Sequence, residues 1–282
     1  MKYLKNKGIA GNVLIKEHIK NDKPFALTRI GLAEVRWVDW YLKHGLNYTI
    51  NGNTLASIIE QGGVYGQCGE EFFKEFCNGI SNADLQVFWF NDDESNLVYD
   101  EQKNIFDTLS PESIKIDCES LYSFRHNDFW SKSLAGKKVL VIYPFEETIK
   151  MQYEKRNLIW ADGKLPDFEL ITYKPVWTLG GNRPHSSWKE SLDFMKSEIA
   201  ELDFDIALLG CSHYGIPLVS FIKDSLNKSA IYVGGELQIL FGIKGSRWDN
   251  WERVNKYYNE HWTRSIDEIP TGHNLMDGGC YW

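Results

Sequence analysis

The sequence predicts an α/β fold of Rossmann-like type, a mostly parallel sheet with helices on both faces, followed by an aromatic-rich C-terminal arm. Three observations carry that expectation. Short apolar runs without polar alternation, such as Ile206–Leu209, fit strands buried on both faces of a parallel sheet. Strand-like runs alternate with segments of helical periodicity. Between Phe204 and Trp248 the chain twice runs strand, glycine turn, helix, once through Gly210 and once through Gly234-Gly235.

The elements follow in order. Residues 1–23 read as a polar arm with a short helix over 13–19. Pro24 introduces a strand over 25–30, and Val35, Val38 and Leu42 mark a helix over 32–43. Residues 45–67 are rich in Gly and Asn and irregular, with a short helix over 55–60, and a further helix covers 69–78. A strand over 84–90, an acidic turn at 91–94 and a helix over 97–109 follow. Next come a short strand over 114–116, a short helix over 126–134 and an apolar strand over 139–143 broken by Pro144. A polar helix over 146–160 and a strand over 168–173 lead to a helix marked by Trp188, Leu192, Met195 and Ile199. The loop over 174–187 is the nearest thing to a linker but is short and apolar. The chain therefore reads as one domain over 1–256 with an arm over 257–282 packed upon it. That arm holds Tyr258, Trp262, Tyr281 and Trp282, whereas disordered tails are poor in aromatic residues. It is expected to cover core, to cover a ligand cleft or to recognise an acceptor.

Composition narrows the function. With 31 Lys and Arg against 39 Asp and Glu, the net charge is −8, which argues against holding nucleic acid by its phosphates. Five cysteines without a CxxC pair suggest a reducing, cytoplasmic setting and no zinc site. The lysine-interrupted N-terminal stretch does not read as a signal peptide, and no run reaches the length of a membrane span.

Ligands of open α/β sheets bind beyond the carboxyl ends of the strands, where helix N-termini favour anions. Candidate binding residues at that end are Arg29, Gly31, Gly210, Ser212, His213, Tyr214, Gly215, Gly234, Gly235, Gln238 and Arg247. Arg29 and Glu34 either serve a ligand or pair with each other at the strand–helix junction. Arg247 either meets a diphosphate or stacks on an aromatic ring, and His213 is either a pocket residue or an ordinary turn histidine. The Asp92-Asp93-Glu94 turn either binds a hard cation or caps the next helix. Asp203-Phe204-Asp205 precedes its strand and so lies at the wrong end. Gly210 and Gly215 have P-loop spacing, but Ile216-Pro217 replaces the Lys-Ser/Thr that ATP chemistry needs.

Arg29-x-Gly31-x-x-Glu34 after a strand resembles the arginine–glycine–acidic signature of GT-D-type glycosyltransferases and their relatives in polysaccharide gene clusters. The likeness continues through residues 136–145, 152–153 and 165–170, and is strongest over 210–218 and 234–248. The resemblance implies transfer of a sugar from a nucleotide-sugar donor to a glycan or lipid-linked acceptor in surface polysaccharide or capsule biosynthesis. It also implies an Asp-x-Glu pair beside the diphosphate and a Mn or Mg ion. Here Leu32 stands where the family has Asp, so the metal expectation rests on Glu34 alone. In this reading Arg29 and Arg247 stabilise the leaving diphosphate, Glu34 orients the donor or binds the metal, and Glu236 activates the acceptor hydroxyl. The alternative is a nucleotide or sugar-phosphate binding protein without transfer chemistry.

Overall fold

The computed structural model describes residues 2–4, 8–21, 23–46, 49–50, 53–89 and 98–282. Its centre is one eight-stranded sheet: β1 (Lys2–Leu4), β2 (Ala26–Arg29), β3 (Leu85–Phe88), β4 (Ile114–Asp117), β5 (Lys138–Ile142), β6 (Glu169–Tyr173), β7 (Ile206–Leu209) and β8 (Ser229–Tyr232). The order is β1-β4-β3-β2-β8-β7-β5-β6, and every pair is parallel. The fold is thus α/β and Rossmann-like.

Alternating side chains on each strand feed two cores. Val139, Val141, Ile206 and Leu208 join the first, while Leu140, Ile142, Ala207 and Leu209 join the second. That two-sided burial is why these strands read as continuous apolar runs. Helices α1 (Ile9–Lys20) and α5 (Glu146–Glu154) cover the first core through Ile15, Ile19 and Ile149. The second is covered by α2 (Leu32–His44), α3 (Gly69–Ser81), α4 (Tyr99–Leu109), α6 (Trp188–Ala200) and α7 (Gly215–Asp224). In α3, Phe72, Phe73, Phe76 and Ile80 form the buried stripe, and Glu70 and Glu71 favour its first turn. Ser187 caps α6 by accepting from the Glu190 N–H at 3.1 Å.

Several elements differ from expectation. β1 lies inside the predicted polar arm. Its three residues, Lys-Tyr-Leu, carry no apolar run because it is an edge strand paired only with β4. The predicted helix over 146–160 breaks at Lys155, and beyond the break Trp160 is buried and donates to the Leu240 carbonyl at 2.7 Å. The helix expected after Gly234-Gly235 is only Leu237–Leu240, because Gly242, at φ +68°, turns the chain. The short helix expected over 126–134 is a 3₁₀ turn at Trp130–Leu134. The acidic turn at 91–94 lies outside the described residues. In the C-terminal arm Thr263–Arg264 pairs in parallel with Ile243–Lys244, and Trp262 is buried in the first core. No helix among the described residues is long and apolar enough to cross a membrane.

What positions the site is the change of direction at the sheet centre. After β2 the chain enters α2 on the second core; after its neighbour β8 it runs into Leu237 and Ile239 on the first. Adjacent strands that send their chains to opposite faces leave a crevice at their carboxyl ends.

Candidate active site

A cleft of about 1160 Å³ occupies that crevice, floored by the ends of β2, β8, β7 and β5. Three of its walls come from sequence-distant segments: Trp37 on α2, Trp89 after β3, and Tyr281 and Trp282 at the end of the chain.

The glycine turns make the floor low. A Cβ on Gly210 would lie 2.6 Å from the Gly234 carbonyl oxygen and 2.6 Å from the Tyr143 ring, so β7 and β8 approach closely only because residue 210 has none. Gly234 itself sits at φ +80° with the Arg29 guanidinium against it. Gly210→Ala is expected to cost about 1–3 kcal/mol as an overpacked site; a urea midpoint equal to that of the parent contradicts this packing.

Arg29 leaves the end of β2 and reaches across the crevice. Its Nη1 donates to the Val233 carbonyl at 3.0 Å and to Glu236, and Nη2 donates to Glu236 Oε1 at 3.3 Å. Tyr122 donates its hydroxyl to the same Oε1 at 3.1 Å, and the guanidinium lies 4.9 Å from the Trp89 ring centroid. The side chains of Arg29 and Glu236 are 15% and 7% exposed. Burial works against the charge on Arg29, but Glu236 outweighs it and holds the guanidinium firmly protonated. Burial and then Glu236 push the Tyr122 hydroxyl well above its ordinary range, so it stays a neutral donor. Arg29 therefore pairs with Glu236, not with Glu34.

Glu34 lies in the first turn of α2, with Gly31 at the N-cap. Its Oε1 is 3.1 Å from Nδ1 of His213, on the 3₁₀ turn after β7, and both side chains are largely buried. Burial pushes the Glu34 carboxyl up, but His213, the backbone and Arg29 together bring it below the ordinary carboxylate value. Its folded pKa being depressed, Glu34 stabilises the protein above the unfolded carboxylate pKa of about 4.3, and that stability is lost as pH falls through the lower folded value. Glu34→Gln is expected to flatten this part of the acid limb in urea unfolding; an acid limb parallel to the parent's contradicts the pairing.

His213 is packed by Trp37 and Phe72, at centroid distances of 5.3 and 6.0 Å. A Cβ on Gly62 would stand 3.1 Å from Nε2 of His213 and 2.9 Å from Trp37, so glycine keeps the space beside Nε2 open. Nδ1 lies within ion-pair distance of Glu34 but makes no hydrogen bond among the described residues, and Nε2 is the ring nitrogen beside Gly62.

At the rim the cations are paired but exposed. Arg247 Nη1 donates to Asp277 at 2.9 Å and to the Tyr281 hydroxyl at 2.9 Å, and Arg183 pairs with Glu60 at 2.9 Å. Exposed pairs of this kind are worth little and exchange readily for another anion. Arg247 also lies 5.7 Å from the Tyr281 ring centroid, so the ligand-facing and the cation–π placements of this residue coincide.

Of the predicted site residues, Arg29, Gly31, Glu34, Gly210, Ser212, His213, Gly234, Gly235 and Arg247 border the cleft. Ser212 adopts φ +53°, with its carbonyl accepting from the Tyr232 hydroxyl at 2.9 Å. Four predicted residues lie behind the walls. Glu236 is the counterion of Arg29, which removes it as a free base. Tyr214 donates to Thr178 at 3.1 Å and stacks on Trp188, and Gly215 is packed on the Tyr232 ring. Gln238 is fully buried, accepting from Tyr143 at 2.8 Å and donating to the Tyr281 carbonyl at 3.1 Å. The metal expectation meets a single carboxylate. Leu32 is 54% exposed beside Glu34, and no group of three or more His, Cys, Asp or Glu among the described residues is arranged to hold an ion.

Sequence reading missed Trp37, Trp89 and Tyr122. Trp89 follows a strand at the carboxyl end, and Trp37 is one helical turn beyond Glu34, so the position rule that selected Arg29 also reaches both. Tyr122 carried no comparable local signal. Compared with protein-family models, curated proteins and solved structures, the chain finds no match.

Proposed function

We propose that the protein is a glycosyltransferase that binds a nucleotide-sugar donor in this cleft and transfers its sugar to an acceptor hydroxyl, glycan-borne or lipid-linked. The observation that carries the reading is the pairing, on one floor, of an anchored cation with a carboxylate–histidine dyad. Arg29 has five N–H donors, of which three bond to Glu236 and Val233 among the described residues. The remaining two, with Arg247 at the rim, suit a diphosphate.

In this mechanism Nε2 of His213 takes the proton of the acceptor hydroxyl as its oxygen bonds to the anomeric carbon. The bond from that carbon to the diphosphate oxygen breaks, and its electron pair leaves with the nucleoside diphosphate. Arg29 and Arg247 stabilise the charge that develops on the leaving group. Glu34 keeps the imidazole oriented and stabilises the imidazolium. Trp37, Trp89, Tyr281 and Trp282 offer rings for stacking base or sugar.

Titration calorimetry with a panel of UDP-, GDP- and dTDP-sugars, with and without Mn²⁺, tests the reading. At least one donor is expected to bind, and binding is expected to weaken in Arg247→Ala. Failure of every donor to bind folded protein contradicts it. The exposed Leu32 at the position of the family's Asp favours a second reading, a sugar-nucleotide binding protein without turnover. Donor binding with no transfer to any acceptor, unchanged by Glu34→Ala, distinguishes it.

A further inference from the structure

Beside the main cleft lies a smaller niche of about 30 Å³, room for one or two small groups of the size of a water or a methyl. Pro144, Leu179, His213 and Met276 border both spaces, so the niche adjoins the cleft next to the dyad. Its surroundings are mainly apolar, from Pro144, Pro175, Val176, Leu179, Cys211 and Met276, with Ser212 and His213 on the side shared with the cleft. Burial pushes the Cys211 thiol far above its ordinary range, leaving a neutral group that packs as a small hydrophobe.

Two polar groups around the niche are already engaged. The Thr178 hydroxyl accepts from Tyr214 at 3.1 Å, and the Trp177 ring N–H donates to the Thr271 carbonyl at 3.2 Å. A water needs two to four polar partners to be held in such a space, and a space lined mainly by apolar side chains, with its polar groups on the cleft side alone, favours an apolar occupant.

Resting on the nucleotide-sugar reading, we infer that this niche receives a methyl group of the donor sugar, making the protein selective for acetamido or 6-deoxy sugars over their hydroxyl counterparts. The position beside His213 suits this, because the sugar must lie next to the base that activates its acceptor. A hydroxyl or hydroxymethyl group placed there loses hydrogen bonds to water without gaining replacements.

The test compares dissociation constants for UDP-N-acetylglucosamine, UDP-glucose and UDP-6-deoxyglucose, and for GDP-mannose and GDP-6-deoxymannose. The two arms separate an acetamido methyl from a ring-borne one. One methyl-bearing donor is expected to bind about fourfold to tenfold more tightly than its hydroxyl counterpart. Val176→Phe fills the niche from a half-buried position and is expected to abolish that preference while leaving the hydroxyl donor's affinity unchanged. Val176→Leu, a milder filling of the same position, does the same should the first variant fold poorly. Equal binding of all members of a series that binds overturns the niche inference and leaves the donor reading standing. A preference that persists in both folded variants also overturns it, and binding of no donor at all overturns both.

Discussion

Replacing Glu236 with alanine is expected to destabilise the protein by about 3–5 kcal/mol, the cost of leaving a buried charge without its partner. The guanidinium of Arg29 is 15% exposed and held between strand ends, so it has little route to water when Glu236 is removed. Tyr122 loses the acceptor of its hydroxyl in the same step. The double replacement Arg29→Met, Glu236→Met removes both charges and is expected to lie closer to the parent than Glu236→Ala does, because apolar side chains of similar size avoid the desolvation cost. Urea unfolding of the three proteins gives the comparison. A loss below about 1 kcal/mol for Glu236→Ala means that Arg29 is solvated or finds another partner. The double variant is also expected to bind donor more weakly, since stability returns without the diphosphate contact.

Replacing His213 with asparagine is expected to lower the transfer rate by about 10²- to 10⁴-fold, the range for losing a general base. Donor affinity should change little, because the proposed mechanism assigns the diphosphate contacts to Arg29 and Arg247. Glu34→Gln is expected to cost less, since it leaves the imidazole in place and removes only its orientation and charge support. The distinguishing readout is the pH–rate profile. The limb that reports deprotonation of the base should vanish in His213→Asn and persist in Glu34→Gln. A His213→Asn enzyme with parental rate and profile removes the dyad from the mechanism.

The sheet was legible because its strands are buried on both sides. Ile206–Leu209 is a strand with the bounds its apolar run implies, and Ser229–Tyr232 is the strand expected before Gly234-Gly235. β1 was not legible, because an edge strand of three residues leaves no such run. At the site, the rule that ligands gather at carboxyl ends selected Arg29, Gly210, His213 and Gly234, and all four border one cleft. It did not reveal which charges pair. Arg29 and Glu34, five positions apart, look like partners along the chain, yet Arg29 finds Glu236 and Glu34 finds His213. Those choices follow from β8 lying beside β2, with β7 next to β8. The adjacency is set by sheet order and leaves no trace in local spacing. The same holds for the tail, whose Tyr281 and Trp282 reach the cleft because Gly245 allows the Cys280 and Tyr281 carbonyls to pack close.

The most direct test of the central claim is a crystal structure of the protein with a bound nucleotide sugar. The diphosphate is expected over the Gly210 and Gly234 turns, within hydrogen-bond distance of Arg29, with the anomeric carbon facing Nε2 of His213. A nucleotide bound away from the cleft, or one seated there with its sugar remote from His213, contradicts the account.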